Sequence, residues 1–203
     1  MNRPFIIGLT GSIAMGKSTV AKMFEDAGIA VFDADAAVHR LQAAGSILLP
    51  EIEKLFPGTT SAHGVDRQKL GAAVLGDTLQ LTKLEAIIHP AVAQERAAFL
   101  AARQDDDLLV FDIPLLFERG VESQVDAVVV VSACANIQKQ RVLARPGMTE
   151  EKFKHILSLQ MPDTEKRQRA DYVIDTALSL DDTRARLDKI ILKLRAGLAH
   201  QNK

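Results

Sequence analysis

Near the start of the chain stands Phe5-Ile6-Ile7-Gly8-Leu9-Thr10-Gly11-Ser12-Ile13-Ala14-Met15-Gly16-Lys17-Ser18, and its reading decides the fold class. Residues 5–10 are an apolar run of strand type. The next residues fit G-x-x-x-x-G-K-[ST], and from Lys17 the apolar positions Val20, Met23, Phe24 and Ala27 fall at helical spacing. Gly28 follows as a helix-ending glycine. Strand, glycine-bracketed loop and helix are the setting of a phosphate-binding loop. Gly11 and Gly16 let the backbone curl so that successive N–H groups converge on a phosphate. Lys17 brings a point charge to the β- and γ-phosphates, and the Ser18 hydroxyl suits Mg²⁺. The bare pattern should occur by chance in roughly 1% of chains this long. Its placement between a strand and a helix makes it far more selective.

Outward from this loop, short apolar runs alternate with helical patterns, as in a parallel sheet covered by helices. Residues 29–33, 108–113, 125–131 and 172–175 read as the further strands. Val128 to Val131 are consecutive β-branched residues, suited to burial on both sheet faces. Leu187, Ile190, Ile191, Leu194 and Leu198 share one face of a final helix. Two stretches interrupt the alternation. Residues 36–104 hold helical patterns and almost no strand; Leu81, Leu84, Ile87 and Ile88 form an apolar stripe, and Pro90 disfavours helix at His89. Residues 139–169 carry eight Lys/Arg against four Asp/Glu. Within them Thr149 reads as an N-cap, with Met148 and Phe153 as a hydrophobic staple.

The whole chain frames these features. Its 203 residues suit one domain with an insertion, and an apolar fraction of 47% supports a sizeable core. Lys plus Arg number 25 and Asp plus Glu 26, a formal net charge of -1 that argues against a general nucleic-acid binder. The lone Cys134 excludes a disulfide framework, suits a reducing compartment and reads as core. No apolar run approaches the roughly 18 residues of a membrane span. The expectation is a cytoplasmic protein without a membrane or obligate protein partner.

Several residues then become candidates. Asp33 closes the second strand, at the sheet edge where such proteins bind ligands; it suits a general base and a helix cap equally. Asp35 reads as a cap, with His39 one helical turn further on. Asp112 ends an apolar strand, either as a Walker B carboxylate for Mg²⁺ or as a turn residue. Arg141 and Arg145, a helical turn apart, suit a clamp on transferring phosphate or a solvated face. Lys166, Arg167 and Arg169 read as solvated. The five histidines show no metal-ligand spacing, and no Asn-Lys-x-Asp specifies guanine as in a GTPase switch. Other small-molecule kinases, of nucleoside monophosphate or shikimate type, remain alternatives to the reading below.

The chain resembles the dephospho-coenzyme A kinase family over nearly its whole length. The resemblance rests on Gly8-Leu9-Thr10-Gly11, Asp33-Ala34-Asp35 with His39, Ile88-His89-Pro90, Asp112-Ile113-Pro114-Leu115-Leu116-Phe117-Glu118, Gln140-Arg141 with Arg145, and Ala170-Asp171-Tyr172-Val173-Ile174-Asp175. It implies a P-loop α/β core of residues 1–35, 105–138 and 170–203, a helical acceptor domain of residues 36–104, and a lid of residues 139–169. It implies ATP-dependent phosphorylation of the ribose 3′-hydroxyl of dephospho-coenzyme A. Asp33 would be the base, and Lys17 and Arg141 would stabilise phosphoryl charge. Ser18 and Asp112 would serve Mg²⁺. ATP would be held by Gly11, Ser12, Ile13, Ala14, Met15, Gly16, Lys17, Ser18, Thr19 and Arg145, and the acceptor by Asp35, His39 and His89. The family loop usually reads Gly-Gly-Ile-Gly-Ser-Gly-Lys-Ser, so Ser12, Ala14 and Met15 depart from it. A positive φ at Ala14 would cost about 1 kcal/mol.

Overall fold

The computed structural model describes residues 3–201; residues 1, 2, 202 and 203, the outer ends of the expected core, lie outside them. In chain order the elements are β1 (Phe5–Thr10), α1 (Lys17–Asp26), β2 (Ala30–Asp33), α2 (Ala34–Leu41), α3 (Leu49–Leu55), β3 (Thr60–Ser61), β4 (Gly64–Val65), α4 (Arg67–Val74), α5 (Thr78–Ala101), β5 (Leu108–Asp112), β6 (Ala127–Ser132), α6 (Ala135–Leu143), α7 (Glu150–Ser158), α8 (Asp163–Arg169), β7 (Tyr172–Asp175) and α9 (Leu180–Gln201). The chain divides into two compact units, one of Met1–Phe32 with Asp105–Lys203 and one of Asp33–Gln104.

The first unit is built on a five-stranded sheet in the order β2-β5-β1-β6-β7. β1 lies parallel to β5, with Leu9 opposite Asp112, and parallel to β6, with Thr10 opposite Val130. β7 adds to β6 in parallel, with Ser132 opposite Asp175. The β-branched run in β6 is buried on both faces. Val129 and Val131 pack with Ile7, Leu9, Phe24 and Leu187, whereas Val128 and Val130 pack with Leu116 and Phe117. That two-sided burial is what an apolar strand of this kind requires. β6 starts at Ala127, later than its apolar run, because a 3₁₀ turn over Glu122–Gln124 ends at Val125. The apolar face of α9 supplies Leu187, Ile191 and Leu194 to the same core.

The second unit packs Ile52, Phe56, Leu70, Leu84, Ile87, Ile88 and Ala91 into its own core. Asp66 and Asp77 cap α4 and α5 by accepting backbone N–H bonds at 2.9–3.1 Å. Two features differ from expectation. A small antiparallel pair, β3 with β4, stands in this otherwise helical stretch. And α5 runs through Pro90 instead of stopping at His89. Leu84, Ile87, Ile88 and Ala91 form one buried stripe on both sides of the proline, so packing outweighs the hydrogen bond it removes.

Two further expectations are corrected. Cys134 is exposed at the start of α6, because β6 ends at Ser132 and the chain there has already left the core. Lys166 is fully buried rather than solvated, its ammonium 2.8 Å from Glu118 Oε1. Met161 N–H donates to the same oxygen at 2.8 Å. Burial works to raise the Glu118 carboxyl, but Lys166 and the Met161 N–H hold it below the usual carboxylate range. The pair therefore contributes above the ordinary carboxylate pKa, about 4.3, and its contribution is lost as pH falls further.

Lys166→Met should destabilise the protein by about 3 kcal/mol near neutral pH, the low end for a broken buried pair because Glu118 keeps some solvent contact. Urea titration should show that difference shrinking in acid. An equal difference at pH 7 and pH 3.5 would contradict the assigned role.

Candidate active site

The loop between β1 and α1 is shaped by two glycines for two separate reasons. At Gly11 a Cβ would lie 2.4 Å from Val131 Cγ2 and 2.7 Å from the Val131 carbonyl oxygen. Gly16, the residue before α1, has φ +87°, and a Cβ there would meet Thr176 at 3.0 Å. Between them Met15 N–H donates to Ser12 O at 3.1 Å, closing a four-residue turn whose third residue, Ala14, has φ +59°. Ala14 is the one non-glycine residue at positive φ among the described residues.

The remaining loop contacts come from beyond the carboxyl ends of β6 and β7. Met15 is buried, and its sulfur accepts the Ala133 N–H at 3.0 Å. Thr176 Oγ1 donates to Met15 O at 2.8 Å. Arg141 in turn donates to Thr176, through Nη1 to Oγ1 at 3.1 Å and through Nη2 to the carbonyl at 2.6 Å. The fork geometry of guanidinium makes this two-point grip possible. On the sheet side, Lys17 Nζ lies 2.5 Å from Asp112 Oδ1. Asp112 is buried, so its negative charge requires a close cation. Ser18 and Thr19 sit exposed in the first turn of α1, at its positive end.

Several predicted residues thus converge: the loop from Gly11 to Gly16, Lys17 with Asp112, and Arg141 through Thr176. Arg145 lies exposed just past the end of α6 and does not share the Thr176 grip. The others belong to the second unit. Asp33, the last residue of β2, is the N-cap of α2, its Oδ1 accepting the Ala36 N–H at 2.8 Å. This corrects the expectation that Asp35 is the cap. The extended backbone ends at Asp33 (φ -87°, ψ 108°), so Asp35 is already inside the helix, one turn from His39. His89 is exposed on α5, 4.0 Å from Glu85 Oε1. Thr176, Gln138 and Gln160 went unnoticed in the sequence. A threonine just after a terminal strand was a usable signal for the first; the glutamines offered none.

A parallel sheet with a G-x-x-x-x-G-K-S loop at the end of its central strand, and Lys17 set against a strand-end aspartate, defines a P-loop nucleotide-binding protein. The family model for dephospho-CoA kinase matches residues 5–182. A dephospho-CoA kinase of Novosphingobium aromaticivorans is 60% identical over 195 residues, covering 96% of this chain and 97% of that one. Among solved structures, a Thermus thermophilus protein, TT1252, aligns with TM-score 0.84 at 36% identity, covering 95% of this chain and 98% of that one. A dephospho-CoA kinase from Campylobacter jejuni aligns with TM-score 0.64 at 25% identity, covering 93% and 96%. The chain belongs to the dephospho-CoA kinase family, and it is a kinase. No helix among the described residues is long and apolar enough to cross a membrane.

Lys17→Ala should lower phosphoryl transfer by at least about 10²-fold, the scale for losing a charge aimed at the transferring group. Its thermal transition should stay cooperative, at a lower midpoint because the buried Asp112 loses the nearby Lys17 charge. Near-normal turnover in a folded variant would remove this loop from the chemistry.

Proposed function

We propose that the enzyme transfers the γ-phosphoryl group of ATP to the ribose 3′-hydroxyl of dephospho-coenzyme A, the final step of coenzyme A synthesis, in the cytoplasm. The observation that carries this reading is the anchored loop with Lys17 on Asp112, within a chain that matches the family over residues 5–182. Phosphoryl transfer asks little covalent chemistry of the protein; positioning and charge stabilisation dominate. Lys17 and Arg141 are assigned the developing phosphoryl charge. Thr176 holds Arg141 beside the loop, so its cation is positioned before substrate arrives. Residues Gly11 to Thr19 and Arg145 are assigned to ATP, and Asp35, His39 and His89 of the helical unit to the acceptor.

Ser18 and Asp112 are hard oxygen donors, and the donor set fits Mg²⁺, which takes one or two protein oxygens and completes its shell from phosphates and water. When bound, Mg²⁺ supplies charge neutralisation on the phosphate oxygens. Lys17 neutralises Asp112 otherwise.

Asp33 is assigned the acceptor's proton. Its Oδ1 is engaged with the Ala36 N–H, which fixes the rotamer of the carboxylate. A carboxylate has a second oxygen with its own lone pairs, and that one takes the proton. The cap and the base are therefore compatible roles of one side chain. We assign residues 139–169 to a lid. Within it α8 is tied down by Lys166 and by Ser132 Oγ, which donates to Asp163 Oδ2 at 2.7 Å, so the movement falls chiefly on α7.

Phosphoryl transfer should be assayed with ATP, Mg²⁺ and a panel of dephospho-coenzyme A, shikimate and nucleoside monophosphates. Product from dephospho-coenzyme A, phosphorylated at the 3′ position by ³¹P NMR, is expected; transfer only to another acceptor would overturn the reading. In the same assay Asp33→Asn should lower kcat by about 10²-fold with ATP affinity and Tm little changed, since Asn caps as well as Asp. An Asn variant that keeps most of its kcat would leave Asp33 as a cap alone.

Hydrogen exchange across α7 should slow when ATP and acceptor are both present, because water must be excluded during transfer. Identical exchange with and without saturating substrates would dispose of the lid.

A further inference from the structure

The turn that carries Ala14 is held in a conformation alanine disfavours. In a four-residue turn the central peptide can point either way. One orientation gives the third residue a negative φ; the other, of type II, gives it a positive φ and ordinarily calls for glycine there. Here the third residue is Ala14, at φ +59°. The central peptide consists of the Ile13 carbonyl and the Ala14 N–H, the Ile13 N–H belonging to the peptide before it, and side chains grip both polar groups of Ile13. Gln138 Nε2, on α6, donates to the Ile13 carbonyl at 2.9 Å. Gln160 Oε1, between α7 and α8, accepts the Ile13 N–H at 3.0 Å. Gln138 is buried, with 6% of its surface exposed, so a flipped peptide would leave its amide without that acceptor in a site poor in water.

We infer that Gln138 is a positioning residue of the phosphate loop: it holds the Ile13–Ala14 peptide in the orientation that offers the Ala14 N–H to ATP phosphate, against the flip that alanine favours, while Gln160 fixes the Ser12–Ile13 peptide before it. The peptide is trans, so its N–H points opposite to its carbonyl. With the carbonyl on Gln138, the Ala14 N–H is turned away from α6. Flipping would exchange the two and present a carbonyl oxygen to an anion. Gln138 lies one residue before the assigned lid and Gln160 lies within it, so the loop meets the lid at Gln160. The inference rests on the reading of this loop as the ATP site.

The test is a double-mutant cycle on ATP dissociation constants, with Tm measured throughout. Gln138→Ala should weaken ATP binding by about 5- to 30-fold, the range set by the cost of the left-handed conformation for a residue with a Cβ. Ala14→Gly removes that cost, since glycine adopts positive φ freely. In the Ala14→Gly background, Gln138→Ala should therefore weaken binding by less than about threefold. Gln138→Met, which keeps the side chain's length without the Nε2 donor, serves in place of Gln138→Ala should that variant fail to fold; Gln160→Ala, which leaves the Ile13–Ala14 peptide untouched, should act equally in both backgrounds. A merely structural role of Gln138 would act equally in both backgrounds, and equal losses from its substitution would overturn the inference. So would unchanged ATP affinity in Gln138→Ala while Lys17→Ala weakens it. If Lys17→Ala also leaves ATP binding intact, the ATP reading of the loop fails and the inference fails with it.

Discussion

Position 11 has no room for a side chain, and much of the site follows from that. β1 runs beside β6, and the residue after its last pairing comes so close to Val131 that a single added carbon would overlap both side chain and backbone. The chain therefore leaves the sheet tightly against the end of β6. This brings the loop under the residues just past the carboxyl ends of β6 and β7. Ala133 reaches the Met15 sulfur and Thr176 reaches the Met15 carbonyl. Methionine suits this place because it fills an irregular gap and its sulfur is a weak acceptor. The loop is thus fastened from beneath at Met15 and from the side at Ile13.

Charge is placed with the same economy in a protein whose formal net charge is -1. Two buried cation–carboxylate contacts, Lys17 with Asp112 and Lys166 with Glu118, join segments distant in sequence. They differ in kind. The first brings together groups that are both assigned above to the phosphates and their metal, so on that assignment it is an exchangeable partnership. The second fastens α8 through a fully buried lysine. Surface pairs such as Lys22 with Asp26 contribute little by comparison, since water and salt screen them.

The loop, the strands of the main sheet and the final helix were legible because each rests on a local pattern: glycines at fixed spacing, β-branched runs, a 3.6-residue stripe. The run through Pro90 was not, since the proline signal is local whereas the stripe that overrides it is tertiary. Asp33 and Asp35 were indistinguishable as caps by composition; only the end point of β2 separates them. Lys166 read as surface because nothing near it in sequence announces Glu118, 48 positions earlier. The glutamines on Ile13 were invisible for the same reason, 125 and 147 residues away from their partner.

The strand order also bears on how the molecule is made. The central strand β1 leaves the ribosome well ahead of its two neighbours, which begin at Leu108 and Ala127. Asp33–Gln104, whose core is drawn from its own residues, is synthesised entirely in that interval. Translation at about 5–20 residues per second leaves β1 unpaired for several seconds while the helical unit emerges. During that time Ile6, Ile7 and Leu9 have no sheet to join, and an apolar strand without neighbours is a template for pairing with other chains. The insertion therefore sets a delay in the birth of the nucleotide site, and the nascent chain is most exposed to aggregation and most in need of chaperones before β5 and β6 arrive.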